Sequence, residues 1–168
     1  MKTFVAALAF LSMLCLAMFQ PAAFSAGVNT NMTVSVVVDN ACQISTTNVA
    51  FPVYAPLGAN ATTPDDSTAG SVTITCTTGT SGHITVGQGS NWTGSQARMF
   101  NGTGNTYLPY TIYQDSSHSV VWDSITGMAI PAAPDGTPRV YTVYGRIPAG
   151  QNVTGGTYTD TVVVSMLF

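Results

Sequence analysis

Val140-Tyr-Thr-Val-Tyr-Gly-Arg-Ile-Pro-Ala-Gly-Gln-Asn-Val-Thr-Gly-Gly-Thr-Tyr-Thr-Asp-Thr-Val-Val-Val-Ser-Met-Leu-Phe168 holds two strand-length runs around a turn of Pro148, Gly150, Gly155 and Gly156. β-branched and aromatic residues, which fit a pleated, half-buried surface, fill both runs. The second run, 157–168, stays apolar to its last side chain. Terminal segments are ordinarily frayed or polar. The expectation is therefore that this strand is covered, by its own domain or by a partner.

The same pattern extends upstream. Ser71–Thr77, His83–Val86, Ala97–Phe100, Tyr107–Gln114, Val120–Asp123 and Arg139–Ile147 read as strands. Val49–Tyr54 is a strand candidate interrupted by Pro52, which confines it to an edge or a bulge. Residues 55–70 and 124–138 read as Gly/Pro-rich loops. About nine short strands, with turn signals between them and no helical stretch, predict an all-β chain folded as one antiparallel β-sandwich.

One segment is too long for that pattern. Val28, Thr30, Met32, Val34, Val36 and Val38 fall on one face, and Asn29, Asn31, Thr33, Ser35 and Asp39 on the other, with Val37 interrupting. The run is about twice a usual strand in length. It is one long strand or two strands end to end with different jobs.

The N-terminus reads as a secretory signal: Lys2, then uncharged Thr3 to Phe19, then a small-residue exit from Pro21 to Ala26. Cleavage is expected after residue 25 or 26. A membrane anchor is the other reading, but the apolar stretch falls just short of the roughly 18 residues that suggest a span, and no basic cluster follows. Cys15 lies inside this stretch.

Beyond residue 26 there is no lysine and no glutamate, and three arginines against seven aspartates leave a net charge of −4. Nucleic-acid and anionic-membrane binding need clustered basic charge, so both are excluded as expectations. Cys42 and Cys76 form an even pair, most simply one disulfide in an exported chain. Closing that loop restricts the unfolded chain by roughly 3.5–4 kcal/mol. A redox or metal pair is the alternative, but no CxxC spacing exists, and His83 alone does not complete a zinc site with Cys76.

Catalytic signatures are missing. His83 and His118 sit in different contexts, and with no glutamate any carboxylate pair must be aspartates. Asp65 and Asp66 are adjacent in the loop expected at 55–70, where solvation is the plain reading and calcium binding the alternative. No G-x-S-x-G, HExxH or P-loop occurs, and the Gly87/Gly89 and Gly102/Gly104 pairs read as hairpin glycines. Tyr107, Tyr110, Tyr113, Tyr141 and Tyr144 lie at strand positions, where core filling is commoner than a sugar platform. No enzyme activity, cofactor or metal is expected.

Several stretches together resemble the spore coat protein U domain family, known chiefly as subunits of archaic chaperone–usher pili: residues 143–151 and 156–164, Arg98-Met-Phe-Asn-Gly, Leu108-Pro-Tyr-Thr-Ile-Tyr-Gln-Asp, Val121-Trp-Asp, and the frame Asn-Ala-Cys42 … Thr-Cys76. The resemblance covers nearly all of the chain after the signal. It implies an incomplete immunoglobulin-like sandwich whose groove is filled first by a periplasmic chaperone. After transfer at an outer-membrane usher, the N-terminal strand of the next subunit would fill it.

Under that resemblance the organisation is a signal at 1–25, a donor segment at 26–36 and a pilin-like domain at 37–168. Val28, Thr30, Met32, Val34 and Val36 would be the donor residues. Val162, Val164, Met166 and Phe168 would line the acceptor groove and contact the chaperone. The implied function is a non-enzymatic shaft or adaptor subunit of a secreted adhesive fibre. It would be exported through the periplasm to the cell surface, with identical or related subunits as partners. Many better-known pilins carry an aromatic residue second from the end; here that residue is Leu167. The rival reading is a self-contained coat or carbohydrate-binding module with residues 28–36 folded into its own groove.

Overall fold

The computed structural model describes residues 26–168. The proposed signal segment lies outside them. Residues 26–37 carry no strand or helix, and Val28, Met32, Val34, Val36 and Val37 are all exposed. The long alternating run is thus not one strand. No residue of the run joins a ladder; strand pairing begins beyond it, at Cys42.

From there the chain forms eight strands: β1 (Cys42–Thr47), β2 (Asp65–Cys76), β3 (Gly82–Val86), β4 (Ala97–Phe100), β5 (Tyr107–Tyr113), β6 (Met128–Ile130), β7 (Arg139–Ile147) and β8 (Val164–Leu167), with a 3-10 turn at Ala59–Ala61. All pairings are antiparallel. The strands make a five-stranded sheet in the order β1-β2-β7-β5-β4 and a three-stranded sheet in the order β6-β3-β8. Val72, Ile74 and Val143 of the first sheet share a buried core with Ile84, Val86 and Ile130 of the second, which makes the fold an immunoglobulin-like sandwich. Trp122 anchors that core, its indole N–H donating to the Ile84 carbonyl at 2.7 Å.

β1 and β2 run in register from Cys42 opposite Cys76, and a disulfide joins the two. Strands differ from expectation in five places. Of the run 157–168 only Val164–Leu167 is a ladder strand, with one isolated bridge at Thr159. β2 begins at Asp65, so the loop expected at 55–70 ends early. The added residues pair with the end of β7, across an irregularity between Ser67 and Gly70. β6 forms inside the expected 124–138 loop, held to β3. Val120–Asp123 contributes one bridge, Tyr113 to Val121. Val49–Tyr54 joins no ladder.

Two glycines explain that last departure. A Cβ on Gly70 would lie 2.4 Å from Val49 Cγ2, and one on Gly145 would lie 2.6 Å from Phe51 Cζ. The bare backbone of β2 and β7 thus lets residues 49–51 lie flat on the sheet. Side chains hold this segment instead of a ladder. Ser67 Oγ donates to the Ala50 carbonyl at 2.6 Å, and Tyr54 Oη donates to the Pro148 carbonyl at 2.8 Å.

Candidate binding groove

The C-terminal run keeps its period of two. Tyr158, Asp160, Val162, Val164 and Met166 are half-buried, while Thr159, Thr161 and Val163 are exposed. The backbone of the outward residues is occupied on one side. Thr159 exchanges both bonds with Phe100, while the Ser90 and Gly87 amides donate to the Thr161 and Val163 carbonyls. In an extended chain alternate residues send their N–H and C=O to opposite edges. The inward residues 158, 160 and 162 therefore direct theirs to the other edge.

That edge faces a groove. One cavity of about 330 Å³ lies between Thr46, Asn48, Val49 and Phe51 on one wall and Tyr158, Asp160, Val162 and Val164 on the other. Val72, Tyr110, Ile112 and Val143 form its floor. A second cavity, of about 560 Å³, continues from it between residues 49–56 and 153–158, floored by Leu108 and Ile147. Val49, Phe51, Met99 and Tyr158 line both. The lining is mainly aliphatic and aromatic, and it is elongated along an unpaired strand edge.

One inward residue of the wall is charged. Asp160 Oδ2 accepts a hydrogen bond from Tyr110 Oη at 2.7 Å, while Oδ1 accepts from the Ser90 amide at 3.0 Å and from Asn91 Nδ2 at 2.9 Å. Burial, with the adjacent carboxylate, pushes the Tyr110 phenol well above its ordinary pKa, so it stays protonated and donates. Gly89 is required here: it has φ +82°, and a Cβ would overlap Asp160 Oδ2.

Of the residues assigned to the groove from sequence, Val162 and Val164 line it. Met166 packs beside it on the sandwich core, and Phe168 is 59% exposed. The wall at 46–51, the floor and Asp160 were not foreseen. Asp160 was open to discovery, because it shares the parity of Val162 and Val164.

The other candidate residues are dispersed. His83 is exposed on β3, whereas His118 packs edge-on against Tyr113 and Tyr144 and lies 3.7 Å from Asp66. Asp65 and Asp66 lie in β2 rather than in a solvated loop: Asp65 is buried, and Asp66 takes two bonds from Arg146 at 2.7 and 2.8 Å. The Arg146 hydrogen bonds hold the Asp66 carboxyl below its usual range, while burial, with Asp66 beside it, raises that of Asp65. Among the described residues no three His, Cys, Asp or Glu side chains gather to hold a metal.

The model of the Spore Coat Protein U domain matches residues 28–165. The chain belongs to the Spore Coat Protein U domain family. A family relative, Protein U of Myxococcus xanthus, is 35% identical over 161 residues, covering 89% of each chain. A solved structure is similar over 78% of this chain at 26% identity and a TM-score of 0.56. It is the CsuC–CsuE chaperone–tip adhesion subunit pre-assembly complex from archaic chaperone–usher Csu pili of Acinetobacter baumannii. The present chain spans 40% of the matched chain's length.

Proposed function

We propose that this Spore Coat Protein U domain protein is a structural subunit, shaft or adaptor, of an adhesive surface fibre, assembled by donor-strand exchange. It is exported through the periplasm, held there by a chaperone, and passed through an outer-membrane usher. Residues 1–25 are the signal, 26–36 the donor segment and 37–168 the acceptor domain. The observation that carries the reading is the apolar groove along the open edge of residues 158–164. The likeness to a pilus chaperone–subunit complex supports it.

The occupant is residues 26–36 of another copy. Val28, Met32, Val34 and Val36 are each at least 85% exposed. Burying four such side chains contributes roughly 6–12 kcal/mol before any backbone ladder is counted. A strand added to an edge gains main-chain hydrogen bonds for affinity and alternate side-chain contacts for fit. Each acceptor also presents its own donor, so the contact is head-to-tail and propagates as a filament.

The test is a denaturing gel of surface-extracted protein, unboiled and boiled. Wild type should give a ladder that collapses to monomer on boiling. The Met32→Asp/Val34→Asp double variant should accumulate as chaperone complex without a ladder. A ladder from the double variant equal to wild type would sink the proposal. Monomer in every wild-type lane, with folded protein recovered from the surface extract, would favour the self-contained module.

A further inference from the structure

Hydrophobic alternation specifies which face of a donor strand enters the groove, but not how far along it sits. A one-residue slip turns Asn29, Asn31 and Thr33 inward and is rejected by the apolar lining. A two-residue slip keeps every aliphatic side chain on the correct face. Some further contact must choose among these registers.

The donor face and the inward face of residues 158–164 each carry one non-hydrophobic residue. On the donor it is Thr30, between Val28 and Met32. On the wall it is Asp160, between Tyr158 and Val162. Among the described residues Asp160 Oδ2 receives a single hydrogen bond, from Tyr110, while Oδ1 receives two. A carboxylate offers about four acceptor sites, so Oδ2 retains one for an incoming hydroxyl.

We propose that Thr30 of one copy pairs with Asp160 of the next and fixes the register of donor insertion. This rests on the donor-strand reading above. With the incoming strand antiparallel, as all pairings in the sandwich are, the match sets Val28 opposite Val162, Met32 opposite Tyr158 and Val34 opposite Gly156. Met32, the bulkiest donor side chain, then enters the larger cavity between Leu108, Ile147 and Val153. Sliding two residues one way puts the Met32 thioether on Asp160, and the other way puts Val28 there. Either slip leaves the Thr30 hydroxyl on an apolar wall and covers a carboxylate with an aliphatic group, a costly arrangement.

Paired cysteines in the full chain, expressed with its own assembly partners, read the register directly. Directly opposite residues in an antiparallel pair lie about 4.5–5.5 Å apart at Cα, within disulfide reach, whereas diagonal neighbours do not. Surface fibres of Val28→Cys/Val162→Cys should give a ladder that survives boiling and collapses with reductant. Met32→Cys/Tyr158→Cys is the second pair, should the first fail to reach the surface. Val28→Cys/Val164→Cys should stay heat-sensitive.

A boil-resistant ladder from the 28/164 pair instead would overturn the register while leaving donor-strand exchange standing. A disulfide formed within single chains would overturn transfer to a neighbouring copy. Absence of any heat-sensitive ladder in wild type marks failure of the underlying reading, not of the register. Adding Thr30→Val should spread cross-linking to the 28/164 pair, and Thr30→Ser should restore the single register. An unchanged pattern with Thr30→Val would remove Thr30 from this role.

Discussion

Two adjacent carboxylates on β2 show how one-residue alternation sets charge behaviour. Asp66 points outward to Arg146, and its folded pKa lies below the unfolded value near 3.9. Its contribution to stability is present above that value and is lost as pH falls through the folded pKa. The side chain is 42% exposed, so solvent screening keeps the effect within about 1 kcal/mol. Asp65 points inward, one oxygen has no partner among the described residues, and its pKa is raised. It favours the folded state at low pH, and it opposes folding as pH rises through the unfolded and then the folded value. Thermal melts from pH 7 to pH 2 should therefore show Asp66→Asn destabilised at pH 7, with the gap from wild type closing in acid. Asp65→Asn should be as stable as wild type or more so at pH 7. A pH-independent gap for Asp66→Asn would mean the ion pair is not its source. Trp122→Phe removes the donor to the Ile84 carbonyl and should lower stability by about 1–3 kcal/mol in denaturant unfolding.

Among the elements, β8 lies in close backbone contact with its neighbour β3. A Cβ on Gly82 would stand 2.0 Å from the Leu167 carbonyl oxygen, where β3 and β8 meet. Backbone cannot yield as a side-chain end can. Gly82→Ala should cost about 1–3 kcal/mol and release the C-terminal strand, read as faster amide exchange across residues 164–167. Gly136, where an added Cβ meets open space, is the control. The disulfide clamps β1, which has β2 as its sole sheet partner. Cys42→Ser/Cys76→Ser should lose about 4 kcal/mol by the loop-entropy argument, measured by denaturant unfolding without reductant.

For the molecule as a whole, the groove is the stability problem. The first of its cavities is lined by strands of both sheets, and an occupant that binds only the folded state stabilises it by mass action. A variant beginning at residue 38, mixed with a peptide of residues 26–38 at a hundredfold excess over its Kd, should gain about 2.7 kcal/mol. The melting midpoint should rise by several degrees. A peptide carrying Asp at positions 32 and 34 should give no shift. Equal shifts from both peptides would show that the groove does not read the alternating face.

The sequence by itself determined the sandwich class, most strand cores, the cysteine pair and the alternating segment at 28–36. Each follows from local periodicity or from pairs of residue types, which survive without knowledge of neighbours. Residues 49–54 were misread because alternation does not reveal that Gly70 and Gly145 would seat Val49 and Phe51 flat on a sheet 20 and more residues away. Asp65 and Asp66 were misread for the same reason: only pairing with β7 extends β2 through them. The groove walls join residues 46–56 to 153–164, and the partners of Asp160 come from residues 90, 91 and 110. Such contacts are products of burial and pairing between distant segments, and only the tertiary structure could decide them.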